Sequence, residues 1–269
     1  MENLSLQEVE DFIQTNEFII YGAGFISLRF YQCIKERNCE KNVECFAVTN
    51  KNGNESCIEG KMVREISEIE RDKWIIIGTH MASVAQMQET LQSLGFTKFF
   101  CVYPYILELE YGAPVNLDRQ INVVNFLRKM SHIYYPAVIY LVIEEYFGKN
   151  TVGYDLYLRM MEVFSSPEVA KKRLEALKKK ISSYEIKNEY NIKVCIENGI
   201  LIDGMHRIVF ARYFDVKELK ADLYHVSEER YFETMGKAML LEENLSMWFS
   251  EKEIALIKAA DNRLRGIVV

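Results

Sequence analysis

The chain has 269 residues, of which 49% are apolar and 27% charged, with 13 Gly and only 4 Pro. That balance excludes disorder and a collagen-like or linker-rich chain, and the length suits two domains that each bury a core. Thirty-three basic against 39 acidic residues give a net charge of -6, the opposite of what a chain living on nucleic acid shows.

The opening MENLSLQEVEDF is acidic and amphipathic, without the basic and apolar regions of a signal peptide. Glu17-Phe-Ile-Ile-Tyr21 is a short apolar run closed by Gly22-Ala23-Gly24, after which Ile26, Phe30, Cys33 and Ile34 recur at helical spacing. Val43–Val48 predicts a second strand, Met62-Val63 a short third and Trp74–Gly78 a buried one. Val84, Met87, Leu91 and Leu94 form a helical stripe ending at Gly95, and Phe99–Val102 is the next strand. Strands alternating with helices at this spacing predict a parallel α/β sheet.

Tyr103 to Leu117 holds two prolines and a glycine and reads as a linker. Residues 118–147 read as two helices broken at Pro136, the second (Ala137–Phe147) apolar nearly all round. Its apolar core, Ala137–Ile143, is far short of the roughly 20 residues that span a bilayer. Ser166-Pro167-Glu168 opens another helix, with Ala170, Leu174, Leu177 and Ile181 on one face. Ile192, Val194 and Ile196 alternate as a strand, Asn198-Gly199 signals a hairpin, and Ile200–Ile202 returns. Asp203–Arg207 leads into a helix through Phe214, Leu219, Ala221 and Leu223 form a last strand, and residues 228–265 read as acidic helix. The six cysteines include no CxxC pair and read as free thiols of a cytoplasmic protein with no membrane insertion.

Two stretches carry chemistry. Gly22-Ala-Gly24-Phe-Ile-Ser27 occupies the strand-to-helix position of a dinucleotide-binding fingerprint: Gly22 permits the tight turn, Gly24 lets a pyrophosphate approach, and Ser27 stands at the third glycine position. The second strand ends Val48-Thr49-Asn50, without the acid that holds a ribose diol, so NAD(P) is the weaker expectation and a tight structural turn the plain one. His80 follows the fourth strand on the edge where such sheets bind ligands.

The second stretch is ILIDGMHR, residues 200–207. Gly204 removes a Cβ beside a helix start, Arg207 offers a planar fork to phosphate oxygens, and His206 adds a donor tunable near neutral pH. Asp203 is the one acid, able to orient a hydroxyl or help hold Mg²⁺. The plain alternatives are a capping Asp203, a core His206 and a surface ion pair for Arg207. Lys171-Lys172-Arg173 and Lys178-Lys179-Lys180 put six basic residues in ten on one helix, either a solvated face or an attractor of polyanions. Gly153-Tyr154-Asp155-Leu156-Tyr157 is polar and aromatic enough to line a pocket.

Residues 15–105, with "FIIYGAG", resemble the Rossmann-like domains attached to bacterial surface-polysaccharide enzymes. Residues 153–226, with helix, hairpin, DGMHR turn, helix and strand in that order, resemble the ParB/sulfiredoxin-type nucleotide-binding domain. The expected organisation is therefore a Rossmann-like α/β domain over 1–105, a linker over 106–122, and an α+β ParB/sulfiredoxin-like domain with a helical C-terminal extension over 123–269. The second resemblance implies a nucleoside triphosphate (ATP or CTP) with Mg, its phosphates at Asp203–Arg207. Met205 stands where sulfiredoxins carry a reactive Cys, and the chain after Val226 is too short and acidic for a DNA-binding domain. The free serine kinases of this superfamily share the turn acid, and Glu162, Glu185 and Asp155 are the candidates for their second acid. The expected function is phosphoryl transfer to a small hydroxylated metabolite or sugar in surface-polysaccharide metabolism, by a kinase-like phosphotransferase or nucleotide hydrolase. The alternatives are a non-catalytic nucleotide or nucleotide-sugar binding module and an NAD(P)-dependent oxidoreductase. Phosphate-containing small molecules and a second copy of the chain, rather than nucleic acid, are the expected partners.

Overall fold

The structure, a computed structural model, describes residues 4–130, 133–162, 166–183, 191–235 and 241–267. The chain divides into two units, Met1–Gly112 and Ala113–Val269. No described helix is long and apolar enough to cross a membrane, and none of the six cysteines forms a disulfide.

In the first unit the continuous apolar runs become strands covered on both faces, as parallel sheets require. β1 (Phe18–Tyr21) lies centrally, flanked by β2 (Val43–Val48) and β4 (Lys61–Glu65) on one side and by β5 (Ile75–Ile77) and β6 (Phe99–Cys101) on the other. These five strands are parallel, and β3 (Cys57–Ile58) adds an antiparallel edge against β4. Strand alternation sends Phe18 and Ile20 into a layer with Phe30, Ile34 and Phe46. Ile19 and Tyr21 go the other way, to Ile75, Ile77 and Leu91. Helix α1 (Leu6–Thr15) starts on a Ser5/Glu8 capping box. Helices α2 (Phe25–Glu36) and α3 (Met81–Ser93) follow β1 and β5, so both begin at the carboxyl edge, where the strand order reverses.

The second unit has a four-stranded sheet in the order β7-β10-β8-β9, formed by β7 (Asn116–Asn122), β8 (Ile192–Cys195), β9 (Ile200–Asp203) and β10 (Glu218–Leu223). β8 and β9 are the expected antiparallel hairpin, whereas β10 pairs with β8 in parallel and with β7 antiparallel. Around the core stand α5 (Val123–Lys129), α6 (Tyr135–Tyr146), α7 (Gly153–Glu162), α8 (Pro167–Ser182), α9 (Met205–Tyr213) and α11 (Glu251–Arg265), with α10 (Glu228–Met235) after β10.

Three expectations are corrected, and Gly153–Tyr157 is assigned to an element. Residues 106–122 are not a free linker: α4 (Ile106–Tyr111) buries Ile106 and Leu109 in the first core, and 116–122 is strand β7, which buries Ile121 in the second. The chain passes between the units at Gly112/Ala113. Pro136 does not break a helix; it occupies the first turn of α6, where its missing N–H has no helical partner to lose. Gly153–Tyr157 lies inside α7, where a Cβ on Gly153 would run into the Leu141 backbone and hold α6 and α7 apart. Residues 228–265 are not one helix, since α10 and α11 are separate and Glu242–Met247 is a 3₁₀ turn between them.

Candidate functional site

In the first unit Gly22 has φ +125°, and a Cβ there would lie 2.7 Å from Ser27 Oγ and 2.8 Å from the Gly78 carbonyl. The glycine is thus required by backbone conformation and by the closeness of two turns. Ser27 is fully buried and donates to Gly78 O at 2.8 Å, so it ties α2 to the end of β5 and does not face a ligand. Gly24 differs: it is the N-cap of α2, in extended conformation, with open space where a side chain would stand. We expect Gly22→Ala to destabilise this unit by about 2 kcal/mol, the scale of one strained backbone position, and Gly24→Ser to leave thermal stability within about 0.5 kcal/mol. Thermal denaturation of the two variants checks this; equal losses would mean that Gly24 is structural too. At the end of β2 the Tyr21 hydroxyl meets Thr49 Oγ1 at 2.6 Å. His80 is the exposed N-cap of α3, its ring 5.1 Å from that of Tyr103.

In the second unit β9 ends at Asp203, and Gly204 (φ +103°) turns the chain into α9 as its N-cap. A Cβ on Gly204 would collide with the Ile192 side chain, with Ile192 Cβ only 2.8 Å away. Gly204 therefore serves the packing of β8 against the turn, and its missing side chain makes no room for a ligand. As N-cap it also provides no side chain to the first-turn N–H groups. Asp203 is not the cap: its carboxylate accepts from Arg207 Nη2 at 3.2 Å, and more than half of it is exposed. Arg207 Nη1 donates to the Asn191 carbonyl at 2.7 Å.

His206 sits half-buried in the first turn of α9. Burial lowers its pKa to about 4, Lys180 and then Arg173 add to the depression, and Asp203 opposes it. The imidazole is therefore neutral at pH 7. The two cations come from α8, which Ser166 caps through the Val169 N–H and which buries Ala170, Leu174, Leu177 and Ile181. Seven residues, or about 10 Å of helix axis, separate Arg173 from Lys180 on one side of α8. Arg173 also acts on Tyr135 and Tyr157, hydrogen-bonded hydroxyls from α6 and α7 whose pKa values burial raises. Both stay protonated and able to donate.

Asp203 and Arg207 are thus paired beside His206, and Lys180 and Arg173, which the sequence presents only within a basic run, lie in electrostatic reach of the imidazole. The rest of that run divides differently. Lys178 pairs with Glu175 at 2.9 Å and lies 4.2 Å over the Tyr154 ring, while Lys171, Lys172 and Lys179 are exposed, as are Arg173 and Lys180 themselves. Of the candidate second acids, Asp155 pairs with Arg159 at 2.7 Å, Glu162 is exposed, and Glu185 lies outside the described residues. No group of three His, Cys, Asp or Glu suited to a metal occurs among the described residues. One carboxylate, its paired Arg207 and a neutral imidazole at an uncapped helix start, with two further cations in electrostatic reach, give this end of α9 an excess of positive charge. No protein-family model, no curated protein and no solved structure matches the chain.

Proposed function

We propose that the β9–α9 turn binds the phosphates of a nucleoside triphosphate, ATP or CTP, and that the second unit transfers a phosphoryl group to a small hydroxylated metabolite or sugar. The observation that carries this reading is the start of α9, where Arg207 is paired with Asp203 and the neutral His206 imidazole lies within electrostatic reach of Lys180 and Arg173 of α8. Such an excess of positive charge beside a neutral donor suits a polyphosphate better than a single carboxylate. The resemblance of residues 153–226 to the ParB/sulfiredoxin-type domain, and of residues 15–105 to the Rossmann-like domains of surface-polysaccharide enzymes, supports the same choice and the sugar acceptor.

In this mechanism Arg207 and the first-turn N–H groups of α9 hold phosphate oxygens, and Arg173 and Lys180 offset the charge that spreads over them. Neutral His206 donates one hydrogen bond to the phosphate. Asp203 accepts the proton of the acceptor hydroxyl or orients it. A magnesium ion arriving on the phosphates needs only one or two protein carboxylates, and Asp203 is exposed enough to provide one. That ion would neutralise phosphate charge.

A non-catalytic binding module is the second reading, favoured by the single acid at the turn. A nicotinamide dinucleotide at Gly22–Gly24 is the weakest, because β2 runs into Thr49 and Asn50 with no acid for the ribose. Titration with ATP and with CTP, alongside phosphate release in Mg²⁺, separates them. Arg207→Lys keeps charge but loses the fork, so affinity falls about ten-fold, roughly 1.4 kcal/mol. Asp203→Asn abolishes turnover and leaves nucleotide affinity within a few-fold, since its pair with Arg207 is exposed. Binding without turnover in the parent selects the module, and an unchanged affinity in Arg207→Lys overturns the site.

A further inference from the structure

Arg207 is held from behind by a residue outside the DGMHR motif. Asn191, just ahead of β8, accepts Arg207 Nη1 on its carbonyl at 2.7 Å. Its own side-chain amide donates to Asp222 Oδ1 at 2.6 Å and to Asp118 Oδ1 at 3.2 Å. Asp222 Oδ1 also accepts the Asp118 backbone N–H at 3.2 Å, and Lys220 Nζ stands 3.6 Å from Asp118. The next residue, Ile192, fills the space that Gly204 leaves open, which brings the start of β8 against the turn. One continuous chain of hydrogen bonds therefore runs from β7 and β10 through Asn191 to the guanidinium, and Asp203 holds the opposite end of the fork.

We propose that Asn191 and Asp222 are positioning residues that fix the Arg207 fork for phosphate. The inference rests on the anion-site reading above. A guanidinium anchored through Nη1 and Nη2 is already ordered before a ligand arrives, so fixing it costs the ligand little. Short amide-to-carboxylate contact is the charge-assisted kind, and it makes Asp222 the firmer of the two acid anchors. Asn191 contributes through its carbonyl, whose place depends on where its amide is tied. That explains why a polar residue rather than an apolar one stands at the head of a buried strand.

Isothermal titration with Mg-ATP and with pyrophosphate on the full chain tests this. Asp222→Ala is expected to weaken both probes five- to ten-fold, and Asn191→Ala to do the same. Asp222→Asn retains an acceptor for the Asn191 amide and restores affinity to within two-fold of the parent. In an Arg207→Lys background Asp222→Ala costs nothing further, because it acts through the missing fork. Independent, multiplying losses overturn the relay, and so does an unchanged affinity in Asp222→Ala while Arg207→Lys is impaired. A parent that binds neither probe overturns the anion site itself, a different outcome. Should the alanine variants unfold, the parent suffices: separate nitrogen resonances for Arg207 Nη1 and Nη2 report a held fork, and one averaged resonance overturns it.

Discussion

Replacing Arg265 by Ala is expected to cost about 3–5 kcal/mol of the second unit's stability, the usual loss when one partner of a buried ion pair is removed. Arg265 is 1% exposed and Asp261, one helical turn earlier on α11, is 4% exposed. Arg265 Nε donates to Asp261 Oδ2 at 2.7 Å, and Nη1 donates to the carbonyls of Leu127 and Met130 at 2.8 and 2.7 Å. The guanidinium thus anchors the end of α5 to the last turn of α11, beside Ile257, Ala260 and Leu264 of the core. Without it a carboxylate stays buried beside two carbonyls that have lost their donor, and Asp261 Oδ1 already has no hydrogen-bond partner among the described residues. At about 2–4 °C per kcal/mol for a unit of this size, the melting temperature should fall by roughly 6–20 °C. A double variant, Arg265→Met with Asp261→Leu, should recover much of the loss because no charge remains buried. Thermal and urea unfolding decide the matter: a single-variant loss under 1 kcal/mol, or a double variant worse than the single, contradicts this account.

How much of this was legible beforehand follows from which interactions are local in sequence. The strand–turn–helix at Gly22 and the hairpin leading into Asp203–Arg207 are short-range patterns of apolar alternation, glycine and turn residues, and they form where the periodicity places them. β7 was misread because NLDRQIN is polar and exposed except at Ile121; it is a strand because β10 pairs with it, which its own residues do not announce. Glycine gave the right positions with a partly wrong purpose. At Ser27 and Gly204 the close approach is between β-strand ends and helices of the same unit, not between protein and ligand. The Arg173 and Lys180 pair carries a signal that counting charges overlooks: the two are seven residues apart beside the apolar stripe, so both, though exposed, stand on one side of α8 and within electrostatic reach of His206. Asn191, Asp222 and Asp118 had no such signal, since three separate strands bring them together. An Asp and an Arg four residues apart carry no local mark of burial, and only the packing of α11 makes Asp261 and Arg265 a structural anchor.

His206 should make the second unit acid-sensitive in a window set by its lowered pKa. In the unfolded chain the imidazole titrates near 6.5, and in the folded protein near 4. Above about pH 7 it is neutral in both states and contributes no difference. As pH falls through 6.5 the unfolded chain takes up a proton that the folded chain refuses, so stability is lost progressively down to about pH 4 and the loss is complete below it. The two values imply a total of about 2–3 kcal/mol at 1.36 kcal/mol per unit, reduced because the ring is only half-buried. His206→Gln should remove this component and flatten the stability profile between pH 4.5 and 6.5, measured by urea unfolding at each pH. A profile unchanged by the substitution would show that other groups set the acid response. The groups facing the ring also give the ligand its own signature. Burial does most to keep the imidazole neutral, with Lys180 and Arg173 adding to it; a phosphate placed against the two cations cancels their share, which raises the pKa of His206 part of the way back. Binding then takes up a proton, so pyrophosphate should bind several-fold more tightly at pH 5.5 than at pH 7.5, after allowance for its own protonation with Arg207→Lys as the reference. Titrations in buffers of different ionisation enthalpy read that proton directly. Proton release, or none, would place the phosphate away from α8 and remove Arg173 and Lys180 from the site.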